Sequence, residues 1–206
     1  MANVAKKVVV KFYKFMNSLE NKLNLGCAGY KKVGYINVDW DPAVQPDVIH
    51  DLNKFPYPFA DNFFDVIEAD HVLEHLEKVF PAMNEIHRLL KPGGKLIVKV
   101  PHFSRGFTHA EHAHGFDVTF PLYFNKEFSQ SGFCGVEFKL VRMRLKWAAF
   151  LKLLPHLGYG PVVVFLLGGL SYFFSFLANL SPNFCSRIWC FWVGGFEEIE
   201  FEFVKK

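Results

Sequence analysis

Two groups of residues in this sequence are of types that do chemistry. The first is a run of small residues, Gly26-Cys27-Ala28-Gly29, directly after Leu23-Asn24-Leu25. Small residues let a backbone turn approach a phosphate or nucleotide closely. Carboxylates then close the next two apolar runs. Asp39 stands where a carboxylate can accept both hydroxyls of a ribose, and Asp51-Leu52 where an adenine ring can lie. The spacing from Gly26 to Asp39 is shorter than a dinucleotide fingerprint requires, about 20 residues. The second group is a loop carrying His102, His109, Glu111, His112 and His114. Imidazole and carboxylate in alternation suit zinc or iron. The same side chains also serve as plain hydrogen-bonding groups that shape a pocket, and no metal is assigned to them.

The elements that must position these groups follow from the apolar patterning. Short apolar runs over residues 22–26, 34–38, 47–50 and 63–68 predict buried parallel strands, each followed by a polar loop. A helix is predicted over 81–90, opened by Pro81 and stopped by Lys91-Pro92-Gly93-Gly94, with a fifth strand over 95–100. A short helix near 125–131 and strands over 136–147 and 196–204 complete the pattern, the last two pairing as an antiparallel hairpin. Strands alternating with helices imply a parallel sheet with its ligands at the carboxyl ends. Residues 28–35 are too few for a normal parallel crossover, which takes a dozen or more. The first crossover helix must therefore be absent or a single turn. An amphipathic helix over 1–20, with Val4, Val8, Phe12, Phe15 and Leu19 on one face, is expected to cover the vacancy.

From Leu23 to His102 the chain resembles the class I S-adenosylmethionine-dependent methyltransferases, in particular the group that includes the ubiquinone and menaquinone biosynthesis enzymes. The matching segments are Leu-Asn-Leu-Gly-Cys, Ile36-Asn37-Val38-Asp39, Asp51-Leu52, Phe64-Asp65-Val66-Ile67, His71-Val72-Leu73-Glu74-His75 and Arg88-Leu89-Leu90-Lys91-Pro92-Gly93-Gly94. The resemblance implies an α/β, Rossmann-like sheet, mostly parallel with an antiparallel last strand, and S-adenosylmethionine as cofactor. It places Asn24, Gly26, Cys27 and Ala28 on the methionine side, Asp39 at the ribose, Asp51 and Leu52 at adenine, and Asp70 and His71 beside the methionine portion. Two positions depart from the family pattern: Ala28 replaces its usual second glycine, and Asn24 stands where an acid is frequent. Methyl transfer from a sulfonium is an in-line displacement that needs positioning and, for a hydroxyl or amine acceptor, a base. His102, His112 and His75 are the candidates for that role.

The totals narrow the remaining choices. A chain of 206 residues suits a single domain over 1–206. Its net charge of +3 is spread among acids, which argues against a nucleic-acid partner. Four scattered cysteines fit free thiols in a reducing, cytoplasmic setting, and no cleavable leader is expected. The unusual part is the apolar insert over 148–190, with no Asp, Glu, Lys or Arg between Lys152 and Arg187. Residues 153–185 are long enough to span a bilayer. Spanning once would leave its flanking strands on opposite sides, so two short helices are expected, 162–167 and 170–180, parted at Gly168-Gly169. Such an insert would rest on a membrane surface, pair with a second copy, or act as a lid, beside a small or lipid-like acceptor. The competing reading is a non-catalytic module that assembles through the insert.

Overall fold

The computed structural model describes residues 20–106, 109–128 and 132–206. The expected amphipathic helix over 1–20 lies outside them, apart from its last residue. Among the described residues, one sheet takes β1 (Lys22–Leu25), β2 (Ile36–Asp39), β3 (Val48–Ile49), β4 (Phe64–Asp70), β5 (Leu90–Pro101), β6 (Phe138–Lys146) and β7 (Glu198–Lys205). The strand order is β3-β2-β1-β4-β5-β7-β6. The pairs from β3 to β5 are parallel, and β7 runs against both of its neighbours. This is the Rossmann-like, mostly parallel sheet with an antiparallel last strand that the motif order implies.

β7 shows how the sequence writes the core. Ile199, Phe201 and Phe203 alternate with Glu200 and Glu202, so one face of the strand is buried among Phe120, Phe124 and Phe138 while the acids lie on the other. The strand closes on Lys205, whose Nζ donates to Asn62 Oδ1 and to the carbonyls of His87 and Leu90. These bonds satisfy a buried ammonium that would otherwise be costly.

The connection from β1 to β2 contains only turns, as the count of residues requires. Side chains take over the work of the missing helix. Asn37 Oδ1 accepts from the Lys32 N–H at 2.8 Å, and Asn37 Nδ2 donates to the carbonyls of Lys32 and Tyr35. Asn24 donates to Asn37 Oδ1 at 3.0 Å and to the Tyr30 carbonyl, while Asp47 accepts from both nitrogens of Asn37.

Helix α1 (Val79–Leu89) starts two residues earlier than predicted, and buries Val79, Ala82, Met83, Ile86 and Leu89. Pro81 is accommodated because first-turn N–H groups have no partner within the helix. β5 begins at Leu90 instead of 95: Leu90 pairs with Phe64 and Lys95 with Val66, so Lys91 to Gly94 bulge out of the ladder. The helix expected near 125–131 is replaced by a 3-10 turn, Phe120–Phe124, whose Phe120, Pro121 and Phe124 are buried; residues 125–128 are not helical.

The insert departs most from expectation. Gly168-Gly169 does not break it, and α2 (Pro161–Leu180) is one continuous helix ended by Pro182, the first turn of α3 (Pro182–Arg187). A helical glycine costs about 1 kcal/mol relative to alanine but keeps its N–H, whereas proline cannot extend the ladder. Ser171, Ser175 and Asn179 recur every four residues, one stripe of α2, and that stripe faces the body. Asn179 both donates to and accepts from the Leu145 backbone, Ser175 Oγ accepts from the Trp147 N–H, and Ser171 Oγ bonds both backbone groups of Ala148. The stripe holds Leu145, near the end of β6, and the two residues just after the strand. Apolar residues point the other way: Val162, Phe165, Leu166, Tyr172, Phe173, Phe176 and Leu180 are all exposed. By length and composition the helix is apolar enough to cross a membrane, with a hydropathy of 2.0 and only 11% of that window buried.

Phe203, fully buried among Phe124, Phe138 and Phe201, anchors the core. Phe203→Ala is expected to lower stability by about 3–5 kcal/mol, read as the shift in urea-denaturation free energy.

Candidate active site

Glycine is required at the first turn. Gly26 has φ +60, and a Cβ there would sit 2.5 Å from Val72 Cγ2. Val72 opens the His71 to His75 segment region, so the turn after β1 and the turn after β4 are packed face to face. Ala28 also has a left-handed φ of 42, which explains why glycine is usual at this position. Its N–H donates to Asp39 Oδ2 at 2.8 Å, and the Asp41 N–H donates to Oδ1 at 3.0 Å. The Asp39 carboxylate is thereby fixed, with one lone-pair site left on each oxygen. The Cys27 N–H is bonded to the Val38 carbonyl and its thiol is buried, which pushes the thiol pKa up. Asn24 is buried within the β1–β2 network, so its side chain supports the turn from beneath and is withdrawn from any ligand.

Beside Asp39 opens a cavity of about 610 Å3 lined by Trp40, Ile49, His50, Asp51, Asn53 and Lys54. Asp51 Oδ1 caps the following turn through the Asn53 N–H, and Leu52 is buried with its carbonyl accepting from the Tyr57 hydroxyl. Trp40 is 72% exposed at the cavity wall, an apolar plane next to a fixed carboxylate. Such a pair suits a nucleoside: the ring for the base and the acid for its sugar hydroxyls. The sequence reading passed over Trp40, although an aromatic residue directly after a strand-end carboxylate was the available signal. The donor set therefore fits the nucleoside half of S-adenosylmethionine.

At the end of β4, Asp70 is paired to Lys99 Nζ at 2.7 Å. His71 has φ 55 and reaches two acids, Nδ1 to Glu74 Oε1 at 3.1 Å and Nε2 to Glu198 Oε2 at 3.0 Å. Burial opposes charge on the ring, yet the bonds to Glu198 and Glu74 prevail and raise its pKa to about 9. Glu198 also pairs with Lys146, and despite its burial these two partners hold its carboxyl below the usual range. Phe150, at the start of the insert, lies over the His71 ring at 5.0 Å between centroids. Neither Glu74 nor Glu198 was among the residues picked from sequence.

The histidines separate. His102 is fully buried, one ring nitrogen 2.7 Å from Ser104 Oγ and the other 2.8 Å from Ser186 Oγ, and burial lowers its pKa to about 4. It bolts the insert to β5 and is sealed from any acceptor, which corrects its candidacy as a base. His75 is exposed and His112 half-buried, their rings 4.9 Å apart, with His109 stacked on His112 at 4.7 Å. His114 Nε2 is bonded to the Leu76 carbonyl instead of joining them. Beyond lies a second cavity of about 450 Å3, lined in part by Val79, Phe80, His114, Phe116 and Tyr123. Glu77, Lys78 and Asp117 also line it, so its walls combine apolar and charged groups.

Comparison with known proteins finds likeness in one segment of the sequence and in the fold. Residues 36–98 match the family described as "Methyltransferase domain". An uncharacterised protein of Escherichia coli is 49% identical over 41 residues, 20% of each chain. A ubiquinone/menaquinone biosynthesis C-methyltransferase of Paraburkholderia phymatum is 36% identical over 55 residues, 27% of this chain and 22% of that one. The matched segments thus span about a fifth of these curated relatives. A crystal structure of an S-adenosylmethionine-dependent methyltransferase from Archaeoglobus fulgidus superposes with a TM-score of 0.55 at 14% identity, covering 100% of this chain and 95% of that one.

The buried His102 generates a pH test. Its folded pKa lies below the unfolded value of about 6.5, so the unfolded chain takes up the proton first and stability falls as pH drops from there towards 4. The full span is worth about 3 kcal/mol. Denaturation at stepped pH should show this slope in the native protein and a flatter one in His102→Gln; equal slopes would assign the acid sensitivity elsewhere.

Proposed function

With a class I S-adenosylmethionine-dependent methyltransferase domain as the premise, we propose that this protein transfers a methyl group to a hydrophobic or lipid-linked acceptor presented at a membrane surface. The observation that carries the acceptor class is the orientation of α2: polar residues towards the protein, apolar residues outward. A helix so disposed in water exposes a contiguous apolar surface that asks for an apolar neighbour. Trp192, 81% exposed, and Tyr159 and Tyr172 add the amphipathic rings that favour a lipid–water boundary. The bonds from Ser171 and Asn179 to Ala148 and Leu145 support a helix that lies on a surface and does not thread it.

S-adenosylmethionine, when bound, supplies an electrophilic methyl on a sulfonium. The chain's own residues do the rest by positioning. Asp39, pinned by two backbone N–H groups, holds sugar hydroxyls; Trp40 and the Asp51 turn hold the base; Gly26, Ala28, Asp70 and His71 border the remainder. Phe150 packs beside the His71 ring and joins that end to the insert, so an acceptor delivered along α2 arrives at the reacting edge. His75 and His112 are the imidazoles it meets there.

Calorimetric titration with S-adenosylmethionine is expected to give micromolar binding, weakened about tenfold or more in Asp39→Ala and in Trp40→Ala; a folded protein that does not bind it would leave only the non-catalytic module. Sedimentation with phosphatidylglycerol-containing vesicles should carry the protein down. The double variant Phe165→Asp/Phe176→Asp should stay in the supernatant with cofactor binding intact. Native protein that ignores vesicles but dimerises with concentration would mean that the apolar face meets a second copy.

A further inference from the structure

Glu74 lies in the 3-10 turn Leu73–His75 after β4, is 0% exposed, and its Oε2 is buried without a hydrogen-bond partner among the described residues. A buried carboxylate oxygen with no donor is rare enough to require an explanation. The partner on its other side is settled: Oε1 is bonded to His71 Nδ1 at 3.1 Å. The next residue, His75, is exposed, and the loop after β5 brings in His112, tied to the same turn by the Ala113 N–H donating to the Glu74 carbonyl at 2.9 Å. One ligand atom from each of Glu74, His75 and His112 lies within 4.8 Å of the other two.

We propose that Glu74, His75 and His112 form a zinc site at the acceptor edge, with its fourth position open to solvent. Two imidazoles and one carboxylate are the donors that suit zinc, and three protein ligands plus an open position is the composition of a catalytic zinc site. Donors around tetrahedral zinc stand about 3.4 Å apart, so the group must contract slightly. The exposed His75 ring can supply that movement, while Glu74 is held still. The bond from His71 to its other oxygen is the kind of outer contact that orients a ligating carboxylate. A cation there would also give the orphaned oxygen its partner. The neighbouring trio Asp70, His71 and Glu198 lies equally close, but Lys99 and Lys146 already answer its carboxylates, and it needs no ion. An oxygen-bearing acceptor would suit the open position, a corollary that rests on the methyl-transfer reading; the metal site itself does not.

The site is tested by metal binding alone, on the full chain stripped of metal. Competition with a chromogenic chelator should show one zinc per chain at micromolar affinity or tighter. His75→Ala and His112→Ala should each weaken it about tenfold or more, and His50→Ala should leave it unchanged. Glu74→Gln should act likewise, and because the two histidine variants change accessible rings, they keep the test valid if the buried variant fails to fold. Cobalt added in place of zinc should give a visible absorption band that both histidine variants lose. Binding only in the millimolar range, or zinc retained undiminished by either histidine variant, overturns the site, whatever S-adenosylmethionine does.

Discussion

Much of this molecule depends on the Asn37 side chain. Two parallel strands are joined here by a loop with no helix, and the backbone groups a helix would have paired must be paired by something else. Asn37 does this from within β2, with Asn24 on one side and Asp47 on the other. The same compact loop brings the Ala28 N–H onto Asp39. The orientation of the Asp39 carboxylate is therefore a by-product of how the chain solves a connection that is too short.

At the opposite side of the cleft, order comes from charge. Asp70 with Lys99, and His71 between Glu74 and Glu198, knit the ends of β4, β5 and β7 across the carboxyl edge of the sheet. Lys146 extends the chain of pairs to β6. Half-buried networks of this kind are rigid when every member is satisfied, and Glu74 Oε2, buried without a partner among the described residues, is the place where this one is incomplete. Phe150, near the start of the insert, lies against His71, so the apolar and ionic parts of the edge meet at one residue.

How much of this was legible in the sequence differs by mechanism. The strands, the antiparallel closure and the absent crossover helix were readable because period-two patterning and residue counts are local properties. Asp39 was legible as a residue closing a strand, and Asp51 as one lying just beyond the next. Glu198 could not, because it meets His71 only through folding, 127 residues away in sequence. His102 looked reactive by type and proved structural, since exposure is not written in a loop's composition. The insert misled in an instructive way: Gly168-Gly169 signalled a break, while the serines and asparagine spaced by four, the true sign of a single helix with an inward polar stripe, were unremarked.

That stripe couples two properties usually separable. An uncovered edge strand is a template for unwanted pairing, and at the end of β6 Asn179 takes both backbone groups of Leu145, while Ser175 and Ser171 hold Trp147 and Ala148 just beyond it. The helix's outward side is the greasy one. A substitution that turned α2 into an ordinary amphipathic helix, polar outside and apolar inside, would gain solubility and release the end of β6 in the same stroke. Solubility and the anchoring of the β6 end are thus traded against each other on one cylinder.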